Sequence, residues 1–191
     1  MRIGVLGGTF DPIHVGHLIL AQEAYVELGL ERVIFVPAAN PPHKDPRTVS
    51  PAHHRFRMVE LAVEGDPRFY VSDLELKRPG KSYTVDTLRY LKELWPGSEL
   101  FLLIGADNLR ELPTWKDYEE LFLLSEVVVA HRPGAEPEGE LADRVRFLPI
   151  PMVSISASWI RERVAEGKPI RYLVPQEVER YIREHGLYVC S

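Results

Sequence analysis

Short, continuous apolar runs separated by amphipathic stretches of helical length organise this chain. The first run, Ile3-Gly4-Val5-Leu6, is followed by Gly7-Gly8-Thr9-Phe10-Asp11-Pro12, whose composition is that of a turn. Leu18, Ala21, Ala24, Tyr25 and Leu28 then recur on one helical face and predict a helix over 15–28, closed by Gly29. A second apolar run at 32–36 follows at once. Strand, helix and strand thus fit in about 35 residues, the size of a right-handed βαβ unit.

The same alternation continues downstream. Leu100-Phe101-Leu102-Leu103-Ile104 and Val127-Val128-Val129-Ala130 are apolar without a polar alternate, as in parallel strands covered on both faces. Shorter strands are expected at 69–74 and 145–148. Helices are expected at 51–64, at 82–94 with Ser82 or Thr84 as cap, from Ser156 or Ser158 to about 166, and from Pro175 to Gly186. The proline-rich stretch 37–51 reads as a long loop after the second strand, the place where α/β folds build ligand crevices. Residues 134–144, acidic and polar, read as a surface connection. The fold class that follows is α/β with a parallel sheet.

Composition narrows the setting. A chain of 191 residues with 45% hydrophobic content suits one domain over 1–191 and is short for two. A net charge of −5 argues against nucleic acid or an anionic membrane as partner, so an anionic substrate must meet a local cationic cluster. Cys190 is the single cysteine, which excludes a disulfide framework and a cysteine-based metal site. No apolar run has the length of a membrane span. A soluble, cytoplasmic protein is expected.

The sharpest chemical signal is His14-Val15-Gly16-His17, directly after the glycine turn and at a helix start. Residues three apart share a helical face, and a helix N-terminus offers unpaired N–H groups and partial positive charge. Two imidazoles at such a place form an anion site fit for a triphosphate. A dinucleotide fingerprint is excluded, because Gly4-Val5-Leu6-Gly7-Gly8 lacks the third glycine at its offset. The seven histidines show no His-x-x-x-His with a carboxylate partner, and no metal ligands are assigned. A second constellation, Ile155-Ser156-Ala157-Ser158-Trp159-Ile160-Arg161, also opens a helix and supplies a hydroxyl and a guanidinium suited to phosphate oxygens. Taken alone, it is equally well a capped surface helix.

Together these two segments resemble the nucleotidyltransferase superfamily marked by an HxGH motif near the N-terminus and an ISxTxIR-like motif near the C-terminus, with Ser158 where threonine is usual. Asn40-Pro41-Pro42-His43-Lys44, Ser82-Tyr83-Thr84-Val85-Asp86-Thr87, Gly105-Ala106-Asp107, Leu112-Pro113-Thr114-Trp115 and Arg132-Pro133-Gly134 are similar, in order, to segments of the bacterial nicotinate mononucleotide adenylyltransferase family. The resemblance covers essentially the whole chain. It implies a Rossmann-like doubly wound parallel sheet of the nucleotidyltransferase type with a helical C-terminal part, and adenylyl transfer from ATP to nicotinate mononucleotide.

The likeness further implies catalytic roles for His14, His17 and Arg161. ATP would be bound by these together with Gly8, Thr9, Phe10, Gly105, Asp107, Ile155 and Ser156, and the acceptor by Asn40, His43, Lys44, Thr84, Trp115 and Lys116. Magnesium would enter with ATP, bridging its β and γ oxygens, and a homo-oligomer is left open. Read singly, Trp115 is as well a core aromatic, Asp107 a helix cap and Lys44 a solvated loop charge. The nearest rival family, phosphopantetheine adenylyltransferase, usually has threonine for the first histidine and a shorter chain. His14 and Trp115 speak against it.

Overall fold

The computed structural model describes residues 1–131, 140–151 and 153–189; Arg132-Pro133-Gly134, the rest of 134–139 and Cys190 lie outside the described residues. Six strands, β1 (Arg2–Gly8), β2 (Arg32–Pro37), β3 (Phe69–Val71), β4 (Glu99–Gly105), β5 (Glu126–His131) and β6 (Arg146–Pro149), form one sheet in the order β3-β2-β1-β4-β5-β6. Every pairing is parallel. The helices are α1 (Val15–Glu27), α2 (Ala52–Val63), α3 (Leu74–Lys77), α4 (Thr84–Leu94), α5 (Ala106–Glu111), α6 (Tyr118–Leu124), α7 (Ala157–Ala165) and α8 (Gln176–Glu184).

The apolar runs of β1, β2, β4 and β5 are continuous because these strands are buried on both faces. In β4, Phe101 and Leu103 face one cluster with Leu20, Ala24, Met58, Ile160 and Ile182, from α1, α2, α7 and α8. Leu100, Leu102 and Ile104 face the other, with Val85, Leu88, Leu109 and Leu121 from α4, α5 and α6. The period-two division repeats in β2 and β5, so helices cover the sheet above and below. The strand order reverses direction between β1 and β4, and the crevice outside their C-terminal ends is where such sheets bind ligands.

Two expectations about elements are corrected. The strand expected at 69–74 stops at Val71, and Leu74 begins the short α3 after Leu74 N–H donates to Ser72 Oγ at 3.4 Å. Neither Ser82 nor Thr84 caps α4, whose N-cap is Tyr83 without a side-chain cap bond; Ser82 Oγ accepts instead from Asn40 N–H at 3.1 Å. Ser156 does cap α7, accepting from Trp159 N–H at 3.2 Å.

One buried side chain holds the loops at the crevice. Arg55, in α2 and 1% exposed, donates from Nε to Ser50 O at 2.8 Å, from Nη1 to Thr9 O at 2.7 Å and from Nη2 to Ala39 O at 3.1 Å. A single guanidinium thus fastens the turn after β1 to both ends of the loop between β2 and α2. Asp11 and Glu75 lie near enough to offset its charge. Arg55→Met keeps the apolar stem but strips all three carbonyls of their donor, at about 1–3 kcal/mol for each buried unpaired group. Urea unfolding should show a stability loss of at least about 3 kcal/mol, and a loss below about 1 kcal/mol would contradict this role.

Candidate active site

β1 delivers the chain to the crevice and α1 starts beside it. His14 is the N-cap of α1, with extended backbone, and its N–H donates to His17 Nδ1 at 3.2 Å. His17, at the third helical position, plays the part that glutamate plays in a capping box, satisfying the backbone of the residue three before it. That bond fixes the tautomer: Nδ1 accepts, so a neutral His17 carries its proton on Nε2. The two rings stack with centroids 3.8 Å apart, and the Phe10 ring meets His17 edge-on at 5.0 Å.

Glycines make this packing feasible. A Cβ on Gly16 would sit 3.1 Å from the His14 ring, and one on Gly8 3.0 Å from the Phe10 ring. Both imidazoles are held neutral. Burial brings His14 down to about 4, and burial, with His14 and Lys44 adding repulsion, holds His17 well below the ordinary histidine range. Paired neutral rings at a helix N-terminus are donors that remain uncharged until an anion arrives.

The second constellation reaches the same place from the far end of the chain. Arg161 in α7 donates from Nη1 to the Asp11 carbonyl at 2.7 Å, which sets the guanidinium beside the turn after β1. Asp11 is 2% exposed, and both its carboxylate oxygens are occupied: Oδ1 accepts from the Tyr188 hydroxyl at 2.7 Å and Oδ2 from Ser50 N–H at 3.1 Å. Lys44, on the exposed loop after β2, is brought below the usual lysine range by partial desolvation and by Arg161, with Asp11 acting the other way. His14, His17, Lys44, Arg161 and the turn Gly8-Thr9-Phe10 therefore share one neighbourhood. Gly105 ends β4 and N-caps α5, and exposed Asp107 lies in the first turn of that helix; Ile155 and Ser156 lead into α7.

The residues expected at the acceptor side fall into two groups. Asn40 is laced to the segment before α4: Ser82 N–H donates to Asn40 O at 3.0 Å, and Asn40 Nδ2 donates to Gly80 O at 3.0 Å. Thr84 opens α4, while His43 is exposed on the loop. Trp115 is half-buried and packs partly on the core below, and Lys116 Nζ donates to Asp86 at 3.2 Å with its ammonium 4.8 Å from the centre of the Tyr83 ring. The Trp115-Lys116 segment is thereby tied to the start of α4.

Sequence reasoning missed Arg55, Asp11 and Tyr188 as members of this neighbourhood. Arg55 stands in His53-His54-Arg55-Phe56-Arg57, which reads as a solvated helix start. Even there His54 is engaged, with Nδ1 2.9 Å from the Tyr181 hydroxyl. Asp11 and Tyr188 are 177 positions apart, and no local spacing relates them.

Residues 5–163 match the family model described as cytidylyltransferase-like. A protein of Thermus thermophilus named "Probable nicotinate-nucleotide adenylyltransferase" is 53% identical over 188 residues, spanning 98% of this chain and 100% of that protein. One of Desulfitobacterium hafniense with the same name is 48% identical over 197 residues, spanning 98% and 95%. Among solved structures, Plasmodium falciparum nicotinic acid mononucleotide adenylyltransferase complexed with NaAD superposes with a TM-score of 0.83 over 98% of this chain and 97% of that one; at 21% identity it attests the fold. The chain belongs to the cytidylyltransferase-like family and, within it, to the nicotinate-nucleotide adenylyltransferases.

Proposed function

We propose that this crevice transfers the adenylyl group of ATP to nicotinate mononucleotide, giving nicotinate adenine dinucleotide and pyrophosphate. The observation that carries the reading is the stacked neutral pair His14 and His17 at the N-terminus of α1, with Lys44 and Arg161 beside it. The acceptor phosphate is already an anionic nucleophile near neutral pH. Attack on the α-phosphorus needs no general base, and what the protein supplies is alignment and compensation of the charge that moves.

His17 donates from Nε2 to an α-phosphate oxygen as charge builds there, because its Nδ1 is committed to the His14 backbone. His14 and Arg161 hold the triphosphate, Gly105, Asp107, Ile155 and Ser156 border the adenosine, and Lys44 steadies the acceptor phosphate. Thr84, Trp115 and Lys116 receive the pyridine ring. The donors around the triphosphate are imidazoles, a lysine and an arginine, a set that suits a magnesium carried on phosphate oxygens and water. When bound, that ion neutralises charge on the leaving pyrophosphate.

The direct test is pyrophosphate release from magnesium-ATP with nicotinate mononucleotide, nicotinamide mononucleotide and phosphopantetheine side by side. His17→Ala should lower turnover at least about a hundredfold while ATP binding changes less, the scale of losing one transition-state donor. Near-normal turnover would remove His17 from the mechanism. In the acceptor comparison, nicotinate mononucleotide should be preferred by about tenfold to more than a hundredfold in kcat/KM. A carboxylate accepts from backbone N–H groups with both oxygens, whereas an amide leaves one donor unpaired at about 1–3 kcal/mol. Equal kcat/KM for the two acceptors would leave adenylyl transfer standing and overturn the acid preference.

A further inference from the structure

A buried carboxylate that the mechanism above does not use lies under the acceptor side. Glu75, in α3, is 6% exposed, and burial raises it above the usual carboxylate range. Its Oε1 accepts from the Thr87 hydroxyl in α4, which is 2% exposed, and the Ser82 hydroxyl is a second hydrogen-bonding partner. Ser82 Oγ in turn accepts from Asn40 N–H, and Ser82 N–H donates to Asn40 O. The chain Thr87–Glu75–Ser82–Asn40 therefore joins three segments: the first turns of α4, the loop before it, and the loop after β2 that carries His43 and Lys44.

Each link has a reason to be there. A hydroxyl that accepts from a backbone N–H still has one proton to give, and only an acceptor can take it without competition. A carboxylate accepts at both oxygens, so one buried Glu can take protons from Ser82 and Thr87 together, where a neutral amide would accept at one. Placing a carboxylate in an apolar layer is costly unless such donors compensate it, which makes its position well defined. Glu75 has no ion pair of 4 Å or less among the described residues; the Thr87 and Ser82 hydroxyls compensate it first, with Arg78 and Arg55 adding attraction from farther away.

From this we infer that Glu75 is a positioning residue for the acceptor: it sets the first turn of α4 and the Asn40–Lys44 loop in register with each other, and leaves the ATP side untouched. The inference rests on the proposed acceptor assignment for Thr84 and Lys44. It separates the two substrates, because neither the α1 capping bond between His14 and His17 nor the Arg161 bond to the Asp11 carbonyl involves Glu75.

The experiment compares wild type with Glu75→Gln, Glu75→Ala and Ser82→Ala, measuring KM for both substrates, ATP binding by calorimetry, and backbone hydrogen exchange of the ligand-free protein. Glu75→Ala should raise the acceptor KM more than about tenfold with ATP affinity within about twofold of wild type. Glu75→Gln, which keeps shape and one acceptor, should fall between, and Ser82→Ala should raise the acceptor KM about fivefold. Exchange should quicken at residues 39–44 and 80–84 and stay unchanged around His14. Equal changes in the two KM values, or unaltered exchange in the 39–44 loop, would overturn the proposal; Ser82→Ala and Glu75→Gln decide it even where Glu75→Ala does not fold. A wild-type protein inactive on nicotinate mononucleotide would overturn the functional reading instead, while the exchange data judge Glu75 by themselves.

Discussion

The site depends on one guanidinium that, among the described residues, has no carboxylate clasped against it. Arg55 spends its three nitrogens on carbonyls of Thr9, Ala39 and Ser50, each outside a strand or helix. Buried loop carbonyls need donors, and a folded loop otherwise finds them only in secondary structure or water. By drawing three of them to one point, the side chain fixes the separation of the two segments. Asp11 adds the second tie, with Tyr188 and Ser50 on its carboxylate and Arg161 on its carbonyl, so residues from both ends of the chain meet at the turn after β1.

The chemistry then follows from placement. Parallel strands covered on both faces expose their C-terminal ends at the reversal of strand order, and α1 follows the end of β1 with His14 and His17 in its first turn. His17 serves twice, as backbone cap and as imidazole donor, and the cap makes the donor's tautomer unambiguous. Keeping both rings neutral avoids storing two like charges 3.8 Å apart in the ligand-free protein. The protein meets an anion with directed dipoles first and with Lys44 and Arg161 as the flanking charges.

What was legible in the sequence had local periodicity or a short motif. The strands β1, β2, β4 and β5 announced themselves as apolar runs because both faces of each are buried, and α1 and α8 as periodic stripes. The short helices α3 and α6 were not marked, since four and seven residues give too little periodicity to read. His14, His17, Ser156 and Arg161 could be singled out because each belongs to a short motif that opens a helix. Arg55 and Glu75 were invisible for the opposite reason: a charged residue on a helix reads as solvated, and only contacts 5 to 46 positions away for Arg55 and 12 for Glu75 show it held inside. Ser82 misled as a cap because its hydroxyl answers a residue 42 positions earlier.

The central claim is that His14 and His17 are neutral, with the His17 proton on Nε2, and act as donors to the triphosphate. Long-range proton–nitrogen correlation spectra of the two imidazoles, followed from pH 8 down to about pH 5 with and without magnesium-ATP, test it most directly. The account predicts an Nε2–H tautomer for His17, no titration of either ring near 6.5, and a marked shift of the Nε2 resonance when ATP binds. A cationic ring titrating near 6.5, or rings that ATP leaves unmoved, would contradict it.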